Sequence, residues 1–193
     1  MFDAIQRKIV RGSDALVLAE SGNSLCWAAH CLRFDSPHRY RGSTGFASMG
    51  HAVTGVVGAA IARQSKAIAI AGDGAMLMSS EISSAVEHAA DAVWIVLNDG
   101  GYLMCEQGMA TIGWEPFGTR IPRVDFVALA RAQGADGVSV DDEGSLDDAL
   151  EQALSAKGPF VVDVDIDRTV RAPSGRRTKS IMQQGFTAER EER

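Results

Sequence analysis

Residues 67–102 read AIAIAGDGAMLMSSEISSAVEHAADAVWIVLNDGGY. Ala67–Ala71 and Val93–Leu97 are short, continuously apolar runs stopped by glycine-rich turns, which predicts two buried strands. Between them Ile82, Ala85, Val86 and Ala89 recur at helical spacing, which predicts a helix over Ser80–Ala90. Strand, helix and strand, with no polar alternation in the strands, is the unit of a parallel sheet covered on both faces.

Outward from this unit, Ala15–Ala19, Gly137–Val140 and Phe160–Asp165 predict further strands. Helices are expected over Phe2–Arg11, Leu25–Leu32, Ser48–Arg63, Asp125–Gln133 and Ser145–Leu154, with Ser24 a candidate N-cap. In Ser48–Arg63, Gly50, Thr54, Gly58 and Ala62 make a stripe of small residues that would let another backbone approach. Residues 35–47 read as loop and 102–123 as irregular. The expected fold is α/β, a three-layer α/β/α domain over residues 1–170 with a parallel sheet of six strands. Residues 171–193 turn polar and read as a tail, flexible or partner-bound, with basic residues Arg171, Arg176, Arg177 and Lys179.

Ligands of such sheets bind at the carboxyl ends of the strands. Three loops fall there: Ser21–Ser24, Gly72–Ala75 and Asn98–Tyr102. Asp73 offers an anionic oxygen, Asn98 an amide oxygen and Gly100 a backbone carbonyl. Three hard oxygens suit Mg²⁺, which takes its remaining ligands from phosphate and water. Gly74 and Ala75 sit at a helix start, where N–H groups and the dipole favour an anion. Glycines on either side of Asp73 let phosphates come close to the backbone. A lone Gly-Asp-Gly is more often a tight turn with an incidental aspartate. The Asn-Asp-Gly at the next strand end shifts the weight to a magnesium–diphosphate site.

With GDG after one strand and Asn98 after the next, the segment resembles the thiamine-diphosphate (ThDP) enzymes, the family of acetolactate synthase, benzoylformate decarboxylase and pyruvate decarboxylase. ESGNSLCWAA (20–29) is similar to that family's first diphosphate-domain strand and loop. TGFASMGHAVTGVVGAAIA (44–62) resembles the segment that cradles the two cofactor rings, and KGPFVVDVDID (157–167) the final strand. The resemblance covers nearly all of residues 12–168.

It implies ThDP and Mg²⁺ as cofactors, with Asp73, Asn98 and the Gly100 carbonyl as metal ligands. Asn23, Ser24, Gly74 and Ala75 would contact the diphosphate, and Gly22, Gly72, Gly101 and Tyr102 would also lie at the cofactor. Ala47, Ser48 and Met49 would lie at the pyrimidine. There Met49 would force the cofactor's rings into a V, and the Met49 N–H and Ala47 carbonyl would hold the pyrimidine edge. A plain core methionine is the alternative for Met49.

The sequence departs from the family in three places. The spacing from Asp73 to Asn98 is somewhat short. Ala47 stands where glycine is usual. Met104 falls where pyruvate decarboxylase carries a catalytic glutamate, which favours the acetolactate synthase or benzoylformate type; Glu106 nearby is either within reach of the site or a solvated loop residue. Among His30, His38, His51 and His88, His51 is the best acid–base candidate. Arg39 or Arg41 could anchor a substrate carboxylate. Glu20, at a strand end, faces the site, solvent or a helix cap.

In complete enzymes of this family a second, pyrimidine-binding domain supplies a glutamate to the cofactor. The chain has room for the diphosphate domain alone. The resemblance therefore implies a separate pyrimidine-domain subunit in a heterodimer or heterotetramer acting on a small 2-oxoacid, similar in layout to the smaller subunit of sulfopyruvate decarboxylase. Decarboxylation and acyloin-forming carboligation both remain open. The rival readings are a non-catalytic scaffold subunit and an unrelated nucleotide binder; the latter lacks GxxxxGK[ST] and GxGxxG.

A net charge of −6 argues against a nucleic-acid binder. Cys26, Cys31 and Cys105 lack CxxC spacing and read as reduced, buried thiols. Charged residues interrupt the N-terminus, and the most apolar stretch, Ala52–Ala62, is too short for a membrane span of roughly 20 residues. A cytoplasmic protein is expected.

Overall fold

A computed structural model describes residues 1–42, 44–78 and 81–174, with Ser180 and Gln183. The strands are β1 (Leu16–Ala19), β2 (Tyr40–Gly42), β3 (Ala67–Gly72), β4 (Ala92–Asn98), β5 (Asp136–Val140) and β6 (Phe160–Asp165). They form one six-stranded sheet in the order β2-β1-β3-β4-β6-β5. Every pairing is parallel.

Helix α1 (Phe2–Ile5) runs on as a π-helical segment, Gln6–Arg11. The others are α2 (Asn23–Cys31), α3 (His51–Arg63), α4 (Asp73–Met76), α5 (Ile82–Glu87), α6 (Leu103–Thr111), α7 (Phe126–Ala132) and α8 (Leu146–Ser155). Successive strand residues face opposite layers. Val17, Ile68, Ile70, Ile95 and Val162 pack with Ile5, Ile9, Ala28 and Leu150, under α1, α2 and α8. Leu18, Ala69, Trp94, Val96 and Val161 pack with Val53, Val56, Ile82 and Phe126, under α3, α5 and α7. The expected three-layer α/β/α architecture and the six-stranded parallel sheet are thus observed. Trp94 is fully buried, and its indole N–H donates to the Val53 carbonyl at 2.8 Å, so the largest core residue leaves no polar atom unpaired.

Several boundaries differ from expectation. Residues 35–47 contain β2, a three-residue edge strand held to β1 by backbone pairing. The stretch 102–123 contains α6. Helix α3 begins at His51, not Ser48, because Gly50 at φ 98° is its left-handed N-cap. The small-residue stripe of α3 does not meet another backbone: Gly58 and Ala62 are exposed, while Ala52, Val53, Val56, Val57 and Ala60 form the buried face. Ser24 is not a cap; Gly22 is, and the Ser24 hydroxyl donates to the Glu20 carbonyl. The cysteines are half-buried (Cys26, Cys31) or exposed (Cys105), not core residues. The expected helix start at Ser80, and the tail from Gly175 apart from Ser180 and Gln183, lie outside the described residues. Among the described residues no helix is long and apolar enough to cross a membrane.

Candidate functional site

From β1 the chain crosses to β2 on one side and then to β3 on the other, so the sheet's direction of travel reverses beside β1. Such a reversal opens a crevice at the carboxyl ends of the strands. Here that crevice is a cleft of about 1040 Å³. All three predicted loops reach it, through Gly22, Asn23 and Ser24, through Gly72–Ala75, and through Asp99, Gly101 and Tyr102. Met49 and Met104 line it as well.

Asp73 is the centre of this arrangement and is only 3% exposed. Its Oδ1 accepts from the Gly74 N–H at 2.8 Å. Its Oδ2 accepts from Gly100 N–H at 2.8 Å and Gly101 N–H at 3.0 Å. One carboxylate thereby ties the end of β3 to the loop after β4. Burial nonetheless pushes the Asp73 carboxyl above its ordinary range, against the opposing pull of the backbone donors. A cation beside it would relieve that cost.

Asn98 is 1% exposed. Its Nδ2 donates to Asp163 Oδ1 and to the Val124 carbonyl, both at 3.0 Å. Both partners are acceptors, so the amide nitrogen must face them and the amide oxygen is turned the other way. That oxygen, Asn98 Oδ1, is buried and has no partner. A buried acceptor left unpaired costs about 1–3 kcal/mol, so its retention points to a ligand. The Gly100 carbonyl accepts from the Ile121 N–H at 3.1 Å, which leaves one of its two lone pairs. The donor set therefore fits a hard divalent cation that takes its other ligands from a diphosphate and water.

The turn around Asp73 needs its glycine. A Cβ on Gly74 would lie 2.6 Å from the Tyr102 ring, so any side chain there would displace Tyr102. Asn23 Oδ1 is also buried and unpartnered, and its Nδ2 donates to Gln107 Oε1 at 3.3 Å.

Of the segment 44–50 before α3, Met49 alone lines the cleft. Met49 is 40% exposed. Ala47 has φ 59°, the left-handed region that favours glycine, which accounts for glycine being usual there. Its carbonyl accepts from Ser21 Oγ at 2.7 Å. Ser48 and His51 are exposed, and neither they nor Ala47 are among the residues lining the cleft. His38 and His88 are exposed too.

Four charged residues whose roles the sequence left open have defined partners in the structure. Glu20 is fully buried. It takes the capping role, accepting from Ser21 N–H through Oε1 and from Ala52 and Val53 N–H through Oε2. Arg39 cannot anchor a substrate, because its guanidinium donates to the carbonyls of Val10 and Ala15 and holds the N-terminal segment. Arg41 donates to the Tyr40 and Pro37 carbonyls. Glu106 is half-buried and not among the residues lining the cleft; it is paired with Arg168 at 2.7 Å.

Asp163 and Asp99 escaped the sequence reading. Asp163 left a signal: a carboxylate inside the apolar strand FVVDVD must be paired, and it orients Asn98. Asp99 lines the cleft with its Oδ1 buried and unpartnered. Burial first, then the charge of Asp73, pushes its carboxyl up to about 6. Above that pH Asp99 is ionised in both folded and unfolded chain, and the fold carries the full penalty; below the unfolded value neither is charged. Asp99→Asn should therefore stabilise the unloaded chain at pH 7–8, with the gain shrinking as pH falls through about 6 towards 4. Urea denaturation of both proteins across that range checks this; a pH-independent difference contradicts it.

The comparisons with known proteins agree with this geometry. The family model "Thiamine pyrophosphate enzyme, C-terminal TPP binding domain" matches residues 20–164. A "putative acetolactate synthase large subunit" of Mycobacterium tuberculosis is 37% identical over 163 residues, covering 83% of this chain and 29% of that protein. The mitochondrial acetolactate synthase catalytic subunit of Saccharomyces cerevisiae is 32% identical, covering 82% and 24%. The acetolactate synthase isozyme 2 large subunit of Escherichia coli is 29% identical, covering 80% and 29%. The chain thus spans 24–29% of the length of these relatives. It belongs to the thiamine pyrophosphate (ThDP) enzyme family and carries that family's C-terminal TPP-binding domain.

Proposed function

We propose that this chain is the diphosphate-binding part of a ThDP- and Mg²⁺-dependent enzyme acting beside the carbonyl of a small 2-oxoacid. The reaction is decarboxylation or acyloin-forming carboligation, of the acetolactate synthase kind. The observation that carries the proposal is the unpartnered, buried Asn98 Oδ1 beside the buried Asp73, at adjacent strand ends. Asp73, Asn98 and the Gly100 carbonyl hold the metal. Gly74, Ala75 and Asn23 bind the diphosphate, and Met49 sets the angle between the cofactor's rings. Met104 gives the substrate an apolar wall, and His51 is the acid–base candidate. Bound ThDP supplies a thiazolium that takes up electrons when a bond next to the carbonyl breaks.

A pyrimidine-domain subunit covers the cleft and contributes the glutamate, in a heterodimer or heterotetramer in the cytoplasm. What supports a covering surface is apolar exposure next to the cleft. Phe46, three residues before the cleft-lining Met49, is 94% exposed, and Met78, three residues after the cleft-lining Ala75, is 59% exposed. Large apolar side chains exposed next to a cleft mark an interaction surface.

The test is purification of the tagged chain from its native cells, with mass spectrometry of bound proteins and small molecules. The proposal expects a pyrimidine-domain protein and ThDP, with 2-oxoacid turnover by the reconstituted pair and none by the chain alone. Turnover by the chain alone contradicts the separate partner. A purified pair without ThDP contradicts the cofactor assignment.

A further inference from the structure

The loop Asn98–Tyr102 carries two of the three oxygen donors, and contacts from three other segments hold it. Residues 119–121 grip one side. The Tyr102 N–H donates to the Thr119 carbonyl at 2.7 Å, and the Ile121 N–H to the Gly100 carbonyl at 3.1 Å. The fit is close: a Cβ on Gly101 would lie 2.5 Å from the Thr119 oxygen.

The other side is held by Arg168, which follows β6. Its Nη1 donates to the Asp99 carbonyl at 2.9 Å and its Nη2 to Glu106 Oε2 at 2.7 Å. The same Glu106 oxygen accepts from Thr119 Oγ1 at 3.2 Å and lies 3.5 Å from Arg120 Nε. The Arg168 and Glu106 side chains are 20% and 23% exposed. A surface ion pair between flexible side chains contributes little, but this one is largely shielded and shares a partner with the 119–121 segment. A guanidinium is planar, with its donors at fixed angles, so one arginine can hold a carbonyl and a carboxylate at a set separation. A lysine ammonium cannot do the same.

We infer that Arg168, with Glu106 as its counter-charge, is a positioning residue for the metal-binding loop. It fixes the peptide that joins Asp99 to Gly100, and so steadies the Gly100 carbonyl beside an Asn98 amide that Asp163 orients. Through Glu106 it also ties that loop to α6, the helix that brings Met104 to the cleft. Metal binding and the placement of the apolar wall are thereby coupled. Neither side chain of the pair ligates the metal; Arg168 acts through a backbone carbonyl. The inference rests on the proposed function for the identity of the ligand, and on the contacts alone for the bracing of the loop.

The experiment uses the full chain, with its partner where one co-purifies, as wild type, Arg168→Met, Arg168→Lys and Glu106→Gln. Two quantities are read: amide hydrogen exchange of residues 100–102, and Mn²⁺ affinity at saturating ThDP by electron paramagnetic resonance. In Arg168→Met the loop amides should exchange at least ~10-fold faster while β4 and β6 amides keep their protection. Mn²⁺ affinity should fall about 10-fold or more, the usual cost of losing an outer-shell support. Arg168→Lys should recover only part of either, and Glu106→Gln should move both in the same direction by less. Unchanged loop exchange in Arg168→Met overturns the inference, as does exchange that rises equally in β4 and β6. Should Arg168→Met not fold, Arg168→Lys and Glu106→Gln decide on the same criteria. A wild type that binds neither Mn²⁺ nor ThDP overturns the proposed function instead, and the exchange result still judges the brace.

Discussion

ThDP with Mg²⁺ should raise the melting temperature of the wild-type protein, and replacing Asp73 with alanine should abolish that rise. Ligand at ~100 times its dissociation constant stabilises by about 2.7 kcal/mol. For a chain of this size that is a rise of roughly 5–10 °C in melting temperature. Asp73 supplies the only anionic oxygen of the donor set and three of the contacts that close the loop around it. Its loss should weaken binding by on the order of 100-fold or more, since losing an outer-shell partner alone costs 10–100-fold. At the same ligand concentration the remaining stabilisation is then a fraction of a kcal/mol, a shift of about 1 °C. Differential scanning fluorimetry with and without ligand measures both shifts. An undiminished shift in Asp73→Ala would place the cofactor elsewhere. Full activity of an assembled complex carrying Asp73→Ala would favour a scaffold subunit.

Glu20→Ala should produce the largest loss of stability of any single change at the cleft. The carboxylate is fully buried and accepts three backbone N–H groups, two of them from the first turn of α3. It lies at the positive end of the α3 dipole, which is where a negative charge is worth most. Alanine leaves those donors unpaired and a void where the side chain was. The expected cost is about 3 kcal/mol, or roughly 6–12 °C. Glu20→Gln should cost less, because one oxygen still accepts. Denaturant melts of the three proteins test this; a loss below about 1 kcal/mol would show that water reaches the freed N–H groups. The same change should disturb the segment 44–50, since Ser21, tied to Glu20 through its N–H, holds the Ala47 carbonyl through its hydroxyl.

What the sequence made legible, and what it did not, follows from the range of the interactions. The β3–α5–β4 unit and β6 could be read because long apolar runs bounded by turns are local signals. Asp73, Asn98 and Gly100 could be read because each lies within three residues of the end of such a run, so their convergence needs only the rule that parallel strands share a carboxyl end. Strand β2 could not. Tyr40-Arg41-Gly42 is half-exposed to exposed, has no apolar run, and becomes a strand by pairing with the distant β1. Helix α6 was hidden for a related reason: among its residues only Leu103 is buried, so no apolar stripe marks it. The roles of Glu20, Arg39 and Glu106 depend on partners far along the chain. Asp163 alone among these supports was within reach, as the carboxylate flanked on both sides by apolar residues within β6.

The most direct test of the central claim, that this cleft holds ThDP through a divalent cation, is a fluorescence titration. Trp27 lines the cleft and should report occupancy. ThDP is added to the wild-type protein in excess Mg²⁺ and, in parallel, in excess chelator. The account predicts a saturable change in tryptophan emission with Mg²⁺ and at most a weak, non-saturating one without it. An equal, saturable response in chelator would contradict the metal-bridged site, and no response in either condition would contradict ThDP binding in this cleft.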